Sequence, residues 1–154
     1  MKASVLYRIT SVLLLLFAAG HTFGFRQNVP EWKADAVLGL MRSVQFDAQG
    51  FNRTYWDFFS GFGLIFTVFL VFSAVVAWLL GGLPADTLAR VPGIAWALAA
   101  CFVAVTGLSW RYTFTIPIVF SAVITLCLIA AAALSAKQGS LSDRRVSSAS
   151  ASKG

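Results

Sequence analysis

The chain has 154 residues, of which 58% are hydrophobic and only 12% are charged. Too few polar side chains are present to cover a water-soluble globule, so this composition excludes a soluble domain and indicates one membrane domain. The net charge of +6 does not indicate nucleic-acid binding, because the basic residues are scattered at the ends of apolar runs and form no single basic surface.

The first apolar run, Val12–Ala19, follows the basic residues Lys2 and Arg8. We predict a first transmembrane span at about residues 5–25, because the segment stays largely apolar beyond Gly20. The alternative is a secretory signal peptide cleaved after Gly20, since a basic start, a short apolar core and small residues also describe such a peptide. The retained span is favoured, and the sequence leaves both interpretations open.

Residues 26–56 form the long polar connection of the chain and carry charges of both signs. Pro30 suits the first turn of a helix, and apolar residues recur after it at helical spacing. We therefore predict an amphipathic helix at about residues 30–46 that lies along the membrane surface. Its apolar face comprises Ala34, Val37, Leu40, Met41 and Val44.

The strongest apolar run is Phe58–Leu80, which contains no charged residue. At about 1.5 Å per residue it can cross the roughly 30 Å hydrocarbon core of a bilayer, so we predict a second span at about residues 57–81. We interpret Gly61 and Gly63 as packing residues. The small side of this helix is expected to meet neighbouring helices, and it comprises Ser60, Gly63, Thr67, Ala74, Ala77 and Gly81. The opposite side is expected to face lipid or, alternatively, to line a pocket for an apolar ligand, and it comprises Phe58, Phe62, Phe66, Phe69 and Phe72.

Glycine and proline residues around Pro84 predict a turn before the last two spans. We predict a third span at about residues 91–110 and, after a tight connection, a fourth at about residues 113–135 with Pro117 in its first turns. The third span is rich in Ala and Gly, so we expect it to be the most enclosed of the four. Residues 1–136 together form the predicted transmembrane domain.

Residues 137–154 are rich in Ser and basic residues, which predicts a disordered cytoplasmic tail. Four spans would place seven of the 12 Lys and Arg residues on the side of the termini and five on the opposite side. By the positive-inside rule, we expect a multi-pass protein of the plasma (inner) membrane with both termini in the cytoplasm.

Three of the spans lack the groups that ion and proton transport require. No Asp, Glu, Lys, Arg or His occurs within Phe58–Leu80, Val91–Trp110 or Thr113–Leu134, which argues against a pump or proton-coupled carrier acting alone. Cys101 and Cys127 lie in apolar runs without His, Asp or Glu nearby, so we interpret them as packing residues. We expect neither a metal nor a cofactor.

The predicted topology brings several polar and aromatic residues to one outer rim, where the first and third spans end and the second and fourth begin. The simplest interpretation is anchoring of helix ends at the membrane interface, where Tyr and Trp collect. The alternatives are a site for a ligand or lipid head group, and a catalytic pair in which Asp57 orients His21. The candidate ligand-binding residues are His21, Arg53, Tyr55, Asp57, Arg111 and Tyr112.

These patterns predict an all-α integral membrane protein, an antiparallel bundle of four transmembrane helices with one amphipathic interfacial helix between the first two spans. Phosphate-binding and hydrolase motifs are missing, so the expected function is non-enzymatic. The protein would act by packing with itself or with a membrane-protein partner, or by binding a lipophilic molecule. The alternative is a membrane-embedded enzyme that uses His21 and Asp57 on a lipid-like substrate. Membrane lipid is an expected partner, and nucleic acid is not.

Overall fold

The computed structural model describes residues 2–27 and 29–151, with the backbone alone for 139 and 141–151. This part of the chain is mostly helical. Four of its helices are long and apolar enough to cross a membrane, which confirms the four predicted spans at this level. They are α1 (Ala3–Gly24), α3 (Tyr55–Gly82), α5 (Pro92–Tyr112) and α6 (Thr115–Ala151), the last with its apolar stretch at Thr115–Gln138. The remaining elements are a 3-10 turn (Pro30–Trp32), the short helices α2 (Asp35–Ser43) and α4 (Ala85–Arg90), and the strands β1 (Gln45–Ala48) and β2 (Phe51–Thr54).

The described residues belong to two compact units. The first unit comprises Met1–Leu15 and Phe72–Gly154, and the second comprises Leu16–Val71. Helices α1 and α3 are each divided between the units. The first unit also contains α4, α5 and α6, and the second contains α2 and the two strands.

The core of the first unit is made of small and aliphatic side chains at helical spacing. On α5, Ala95, Ala99 and Phe102 are buried, and on α6 the buried residues include Ile124 and Leu128. Small residues let two helix backbones approach closely, and this contact replaces the hydrophobic drive that is missing in lipid. The α5–α6 contact also carries a hydrogen bond between the hydroxyls of Thr106 and Thr125 at 2.9 Å.

The first half of α1 packs against the second half of α3 in the same unit. The Ser11 hydroxyl donates a hydrogen bond of 2.8 Å to the Ala74 carbonyl. At Gly81, an added Cβ would lie 3.0 Å from the Ser4 carbonyl oxygen, so glycine permits the close approach there. Arg8 lies beside this contact with its guanidinium carbon 3.6 Å from the centre of the Trp78 ring. The buried residues Ala74 and Ala77 bear out the prediction that the small side of α3 meets other helices.

The second unit relies on aromatic contacts. Phe17 near the end of α1 meets Phe66 of α3 edge to face, with 6.3 Å between ring centres. Phe25, just after α1, covers Gly63, where an added Cβ would fall within the contact distance of the Phe25 ring. Phe25 also packs against Phe59, so the end of α1 lies along the first half of α3 within this unit.

The segment predicted as one helix over residues 30–46 has a different structure. It contains the 3-10 turn, the nine-residue α2 and a β-hairpin, so the prediction of one continuous helix over these residues is wrong, although the described chain is mostly helical. The hairpin forms because Gln49 and Gly50 both adopt positive φ angles, 57° and 86°, as a two-residue type I′ turn requires. The Asp47 carboxylate accepts a hydrogen bond of 2.7 Å from the Gly50 N–H and holds this turn.

Two further expectations differ from the structure. Helix α6 continues to Ala151, although composition predicted a disordered tail from residue 137; residues 152–154 lie outside the described part. Extending an existing helix needs no new nucleus, and Ala, Lys, Gln and Arg favour the helix. Helix α5 is not enclosed on all sides, because it exposes a stripe of small residues, namely Gly93, Ala97, Ala100, Cys101, Ala104 and Gly107.

Candidate functional site

The β-hairpin is fastened to the start of α3 by aromatic contacts. Phe46 on β1 packs against Tyr55 and Phe58, with ring centres 4.8 Å and 5.6 Å apart. The guanidinium of Arg42, in the last turn of α2, lies 4.3 Å from the centre of the Trp56 ring. These contacts hold the hairpin over the first turns of α3, because rings in offset or tilted contact add to the energy of area burial.

Helix α3 begins with a reciprocal capping box formed by Thr54 and Asp57. The Thr54 N–H and hydroxyl donate to Oδ2 of Asp57 at 2.8 Å and 2.9 Å, and the Asp57 N–H donates to the Thr54 hydroxyl at 3.1 Å. The box satisfies two backbone donors that a helix start leaves without intrahelical partners. Asp57 therefore has a structural role, and its Oδ1 atom is left for another donor.

An open groove lies between the hairpin and the first turns of α3. Its volume is about 430 Å³. The side chains that line it are predominantly apolar, with one basic and one acidic residue, and they are Ala48, Phe51, Arg53, Asp57, Phe58, Gly61, Phe62 and Ile65. All of them belong to the second unit. A concave apolar site of 300–1,000 Å³ with few polar groups is typical of ligand-binding sites.

Arg53 is held at the groove by its neighbours on β2. One terminal nitrogen of its guanidinium donates a hydrogen bond of 2.8 Å to the Asn52 carbonyl, and its central carbon lies 5.4 Å from the centre of the Phe51 ring. An arginine has five N–H donors, so these contacts leave most of them available to an anion.

His21 lies away from the groove residues, in a hydroxyl and aromatic cluster between α1 and α3. Its Nδ1 atom is 3.1 Å from the Thr67 hydroxyl, and its ring stacks on Phe25 and meets Phe66 edge to face, each with 5.0 Å between ring centres. The hydroxyls of Thr22 and Thr67 donate to the Ala18 and Gly63 carbonyls. The Thr67 hydroxyl has one hydrogen and gives it to the Gly63 carbonyl, so its contact with His21 is a hydrogen bond when Nδ1 carries a proton and donates to the Thr67 oxygen.

The structure does not bring His21 and Asp57 together. His21 contacts Thr67, which is ten residues beyond Asp57 on the same helix and therefore about 15 Å further along its axis. General-base catalysis needs a hydrogen bond or a single bridging water between the two groups. The interpretation of these residues as a catalytic pair is therefore not supported by the geometry.

The other candidate residues divide between the two units. Tyr55 anchors Phe46, and Arg53 and Asp57 line the groove together. Arg111 and Tyr112 lie at the end of α5 in the first unit, where the Arg111 guanidinium carbon is 5.3 Å from the centre of the Tyr112 ring. Within the described residues, no group of three or more His, Cys, Asp or Glu residues could hold a metal ion, and Cys101 and Cys127 are free thiols.

Part of the floor of the groove was predicted from the sequence, because Phe58 and Phe62 were named as possible pocket residues, but Gly61 and Ile65 were not. Phe58, Gly61, Phe62 and Ile65 follow the spacing i, i+3, i+4, i+7 and thus share one face of α3. Gly61 was interpreted as a packing residue, yet nothing lies within 4 Å of a Cβ added there. The missing signal was the hairpin, because only its position over α3 turns an exposed helix face into a concave surface.

Comparisons with protein-family models, with curated proteins and with solved structures found no match to this chain.

Proposed function

We propose that this protein is a non-enzymatic, multi-pass membrane protein that binds a lipophilic, lipid-like molecule in the groove between the β-hairpin and α3. The observation that carries the proposal is the 430 Å³ groove with an apolar floor and a polar rim. The apolar part of the ligand would lie on α3, and its polar end would lie at the hairpin.

The floor supports binding of a hydrocarbon chain or an apolar ring. Phe62 and Ile65 are 67% and 65% exposed, so most of their side-chain surface is available for contact with a ligand. Gly61 lies between the larger side chains and leaves room for a chain to approach the helix backbone. Dispersion contacts with such a surface are individually small, but they sum over a long ligand.

The length of α3 supports the placement of the groove at the membrane surface. Its 28 residues extend about 42 Å, which exceeds the roughly 30 Å hydrocarbon core. We propose that the four helices cross the plasma membrane in alternating directions with both termini in the cytoplasm, and that the amphipathic α2 and the hairpin lie at the outer interface. A reporter fused after Gly154 should then be active only in the cytoplasm, and activity outside would contradict this topology.

Filling the groove tests the proposal. In full-length protein, Gly61→Leu should occupy the floor and abolish retention of bound lipid. Gly20→Leu is the matched control, because Gly20 in α1 is also an exposed helix glycine with nothing within 4 Å of an added Cβ. The probe is a phospholipid with a photoreactive acyl chain, reconstituted with each variant in nanodiscs.

Mass spectrometry would then map the cross-linked peptides. The expected result is cross-linking within residues 48–65 in the wild type and in the Gly20 variant, and its loss in the Gly61 variant. Equal cross-linking of all helices in every variant indicates ordinary surrounding lipid and would overturn the proposal.

Packing with a second copy is another function that an observation favours. The small-residue stripe of α5 is exposed, and nothing lies within 4 Å of a Cβ added at Gly93 or Gly107. Such stripes permit close helix pairs in membranes. Cys101 is exposed on this stripe, so a short thiol cross-linker applied to native membranes should trap a dimer through it. A chain that stays monomeric at all cross-linker lengths would exclude this pairing.

A further inference from the structure

We infer that the groove takes a phospholipid whose head group combines a phosphate with a primary ammonium, as in phosphoethanolamine. This inference rests on the proposed binding of a lipid-like molecule, and it names the chemical class of that molecule. The carrying observation is the pairing of one cation, Arg53, with one anion, Asp57, along the lining of a single apolar groove.

Arg53 fits the phosphate. Guanidinium groups recognise phosphate through two parallel N–H donors, and a charged hydrogen bond of this kind is about twice as strong as a neutral one. The contacts of Arg53 with Asn52 and Phe51 hold its side chain at the groove and occupy few of its donors. The ordering cost of binding is lower for a side chain that is already held in place.

Asp57 fits the ammonium. The capping box fixes its carboxylate, since Oδ2 accepts from both donors of Thr54. Oδ1 has no hydrogen bond to the described residues and can accept one from an ammonium N–H. The ligand would thus reach the first turn of α3, at the N-terminal end of this proposed span.

The same pair of charges disfavours the two other common kinds of head group. A phosphoglycerol head group carries no cation, so it gains the contact with Arg53 but offers Asp57 only hydroxyl donors and adds a negative charge beside it. A phosphocholine head group carries a quaternary ammonium, which has no N–H and cannot donate to Oδ1. Of the three, only the phosphoethanolamine head group offers a phosphate to Arg53 and a charged N–H donor to Asp57.

The experiment compares head groups on the full-length protein. Protein in detergent micelles is exposed to equal amounts of phosphoethanolamine, phosphocholine and phosphoglycerol lipids with identical dioleoyl chains, and bound lipid is measured by native mass spectrometry. We expect the phosphoethanolamine lipid to be retained about tenfold over each of the others, which corresponds to about 1.4 kcal/mol. Equal or greater retention of either competitor overturns the inference.

Variants locate the selectivity. Asp57→Asn should remove the preference and leave phosphoglycerol lipid bound at least as well as phosphoethanolamine lipid, whereas Asp86→Asn, an exposed carboxylate on α4, should keep the preference. Arg53→Gln should lower retention of all three lipids, and Arg111→Gln should not.

Two controls separate recognition of the head group from effects of the helix cap and from general lipid binding. Thr54→Val loosens the Asp57 carboxylate but keeps its charge, so it should reduce the head-group preference less than Asp57→Asn does; an equal or larger reduction would overturn the role of the charge. If lipids bind in the groove without any preference, the inference fails while the proposed function stands. If no lipid is retained by the wild type and Gly61→Leu changes nothing, the proposed function itself fails.

Discussion

The two units of this protein differ in how closely their side chains pack and in where their polar groups lie. In the first unit, small side chains such as Ala95, Ala99 and Ala131 are buried, and helix backbones lie close together. In the second unit, aromatic side chains and a β-hairpin leave an open groove of about 430 Å³. Small residues close an interface between helices because they allow many close contacts. Large rings fastened by a few contacts leave concave surface between them.

Polar side chains follow the same division. The first unit buries several hydroxyls that donate to carbonyls in their own helix, as Thr10 does to Leu6 and Ser135 to Ala131, each at 2.8 Å. In a membrane, such bonds satisfy hydroxyls that have no water to bind. The second unit has bonds of this kind as well, but it also holds Arg53 and Asp57 at an exposed helix start, where they can meet a ligand. We therefore expect substitutions to impair stability mainly in the first unit and binding mainly in the second.

The largest effect is expected for Phe102→Ala. Phe102 is fully buried in the first unit, so its removal should leave a cavity and lower the free energy of unfolding by about 3 kcal/mol. The midpoint of thermal unfolding in detergent measures the loss. Phe72→Ala is the control within the same unit, because Phe72 is 63% exposed and its removal leaves no cavity. Equal midpoints for the two variants would contradict the division between the units.

The second-largest effect is expected for Gly81→Val, which should lower the free energy of unfolding by about 2 kcal/mol. Its side chain would press on the Ser4 carbonyl, a backbone atom that cannot move aside cheaply. The same substitution at Gly20 has open space and should change the unfolding midpoint little. A stable Gly81 variant would show that α1 and α3 are less closely packed there.

Thr54→Val should lower the free energy of local unfolding at the start of α3 by about 1 kcal/mol. The substitution removes the hydroxyl that accepts from the Asp57 N–H. Hydrogen exchange at residues 55–58 should then accelerate about fivefold, with little change in the first unit. Thr87→Val on α4 serves as the control, since Thr87 is exposed. Unchanged exchange at the start of α3 would mean that the hairpin, and not the cap, holds that turn.

The smallest effect is expected for Tyr7→Phe, and its sign is opposite. The Tyr7 hydroxyl is buried in the first unit near Ser135, but it makes no hydrogen bond of ordinary geometry to any residue that the structure describes. Removing an unsatisfied hydroxyl should leave stability unchanged or raise it by up to about 1 kcal/mol. Tyr112→Phe, at a side chain that is 75% exposed, should leave the unfolding midpoint unchanged. A clear fall in the midpoint for Tyr7→Phe would reveal a bonded hydroxyl.

Local pattern allowed prediction of the four long helices and of part of the side of α3 that packs, whereas Phe66, expected on the opposite side, meets Phe17 of α1. A run such as Phe58–Leu80 satisfies its backbone only as a helix in lipid, whatever its neighbours are, and the small side chains of Ala74 and Ala77 mark the face that others approach. The site was predicted in part. Arg53 and Asp57 were named as candidates, but as members of a rim that also included His21.

Tertiary structure alone decided the features on which the proposals depend. Gly61 and Gly63 are two residues apart in one apolar helix, yet one lines an open groove and the other is covered by Phe25. His21 contacts Thr67, which is 46 residues away in the chain, and the hairpin lies over α3 through contacts between side chains of separate elements. The amino-acid sequence determined which segments become apolar helices, because that outcome depends on each segment and its solvent. Which faces meet, and what space remains between them, depends on packing between segments, and no local pattern encodes it.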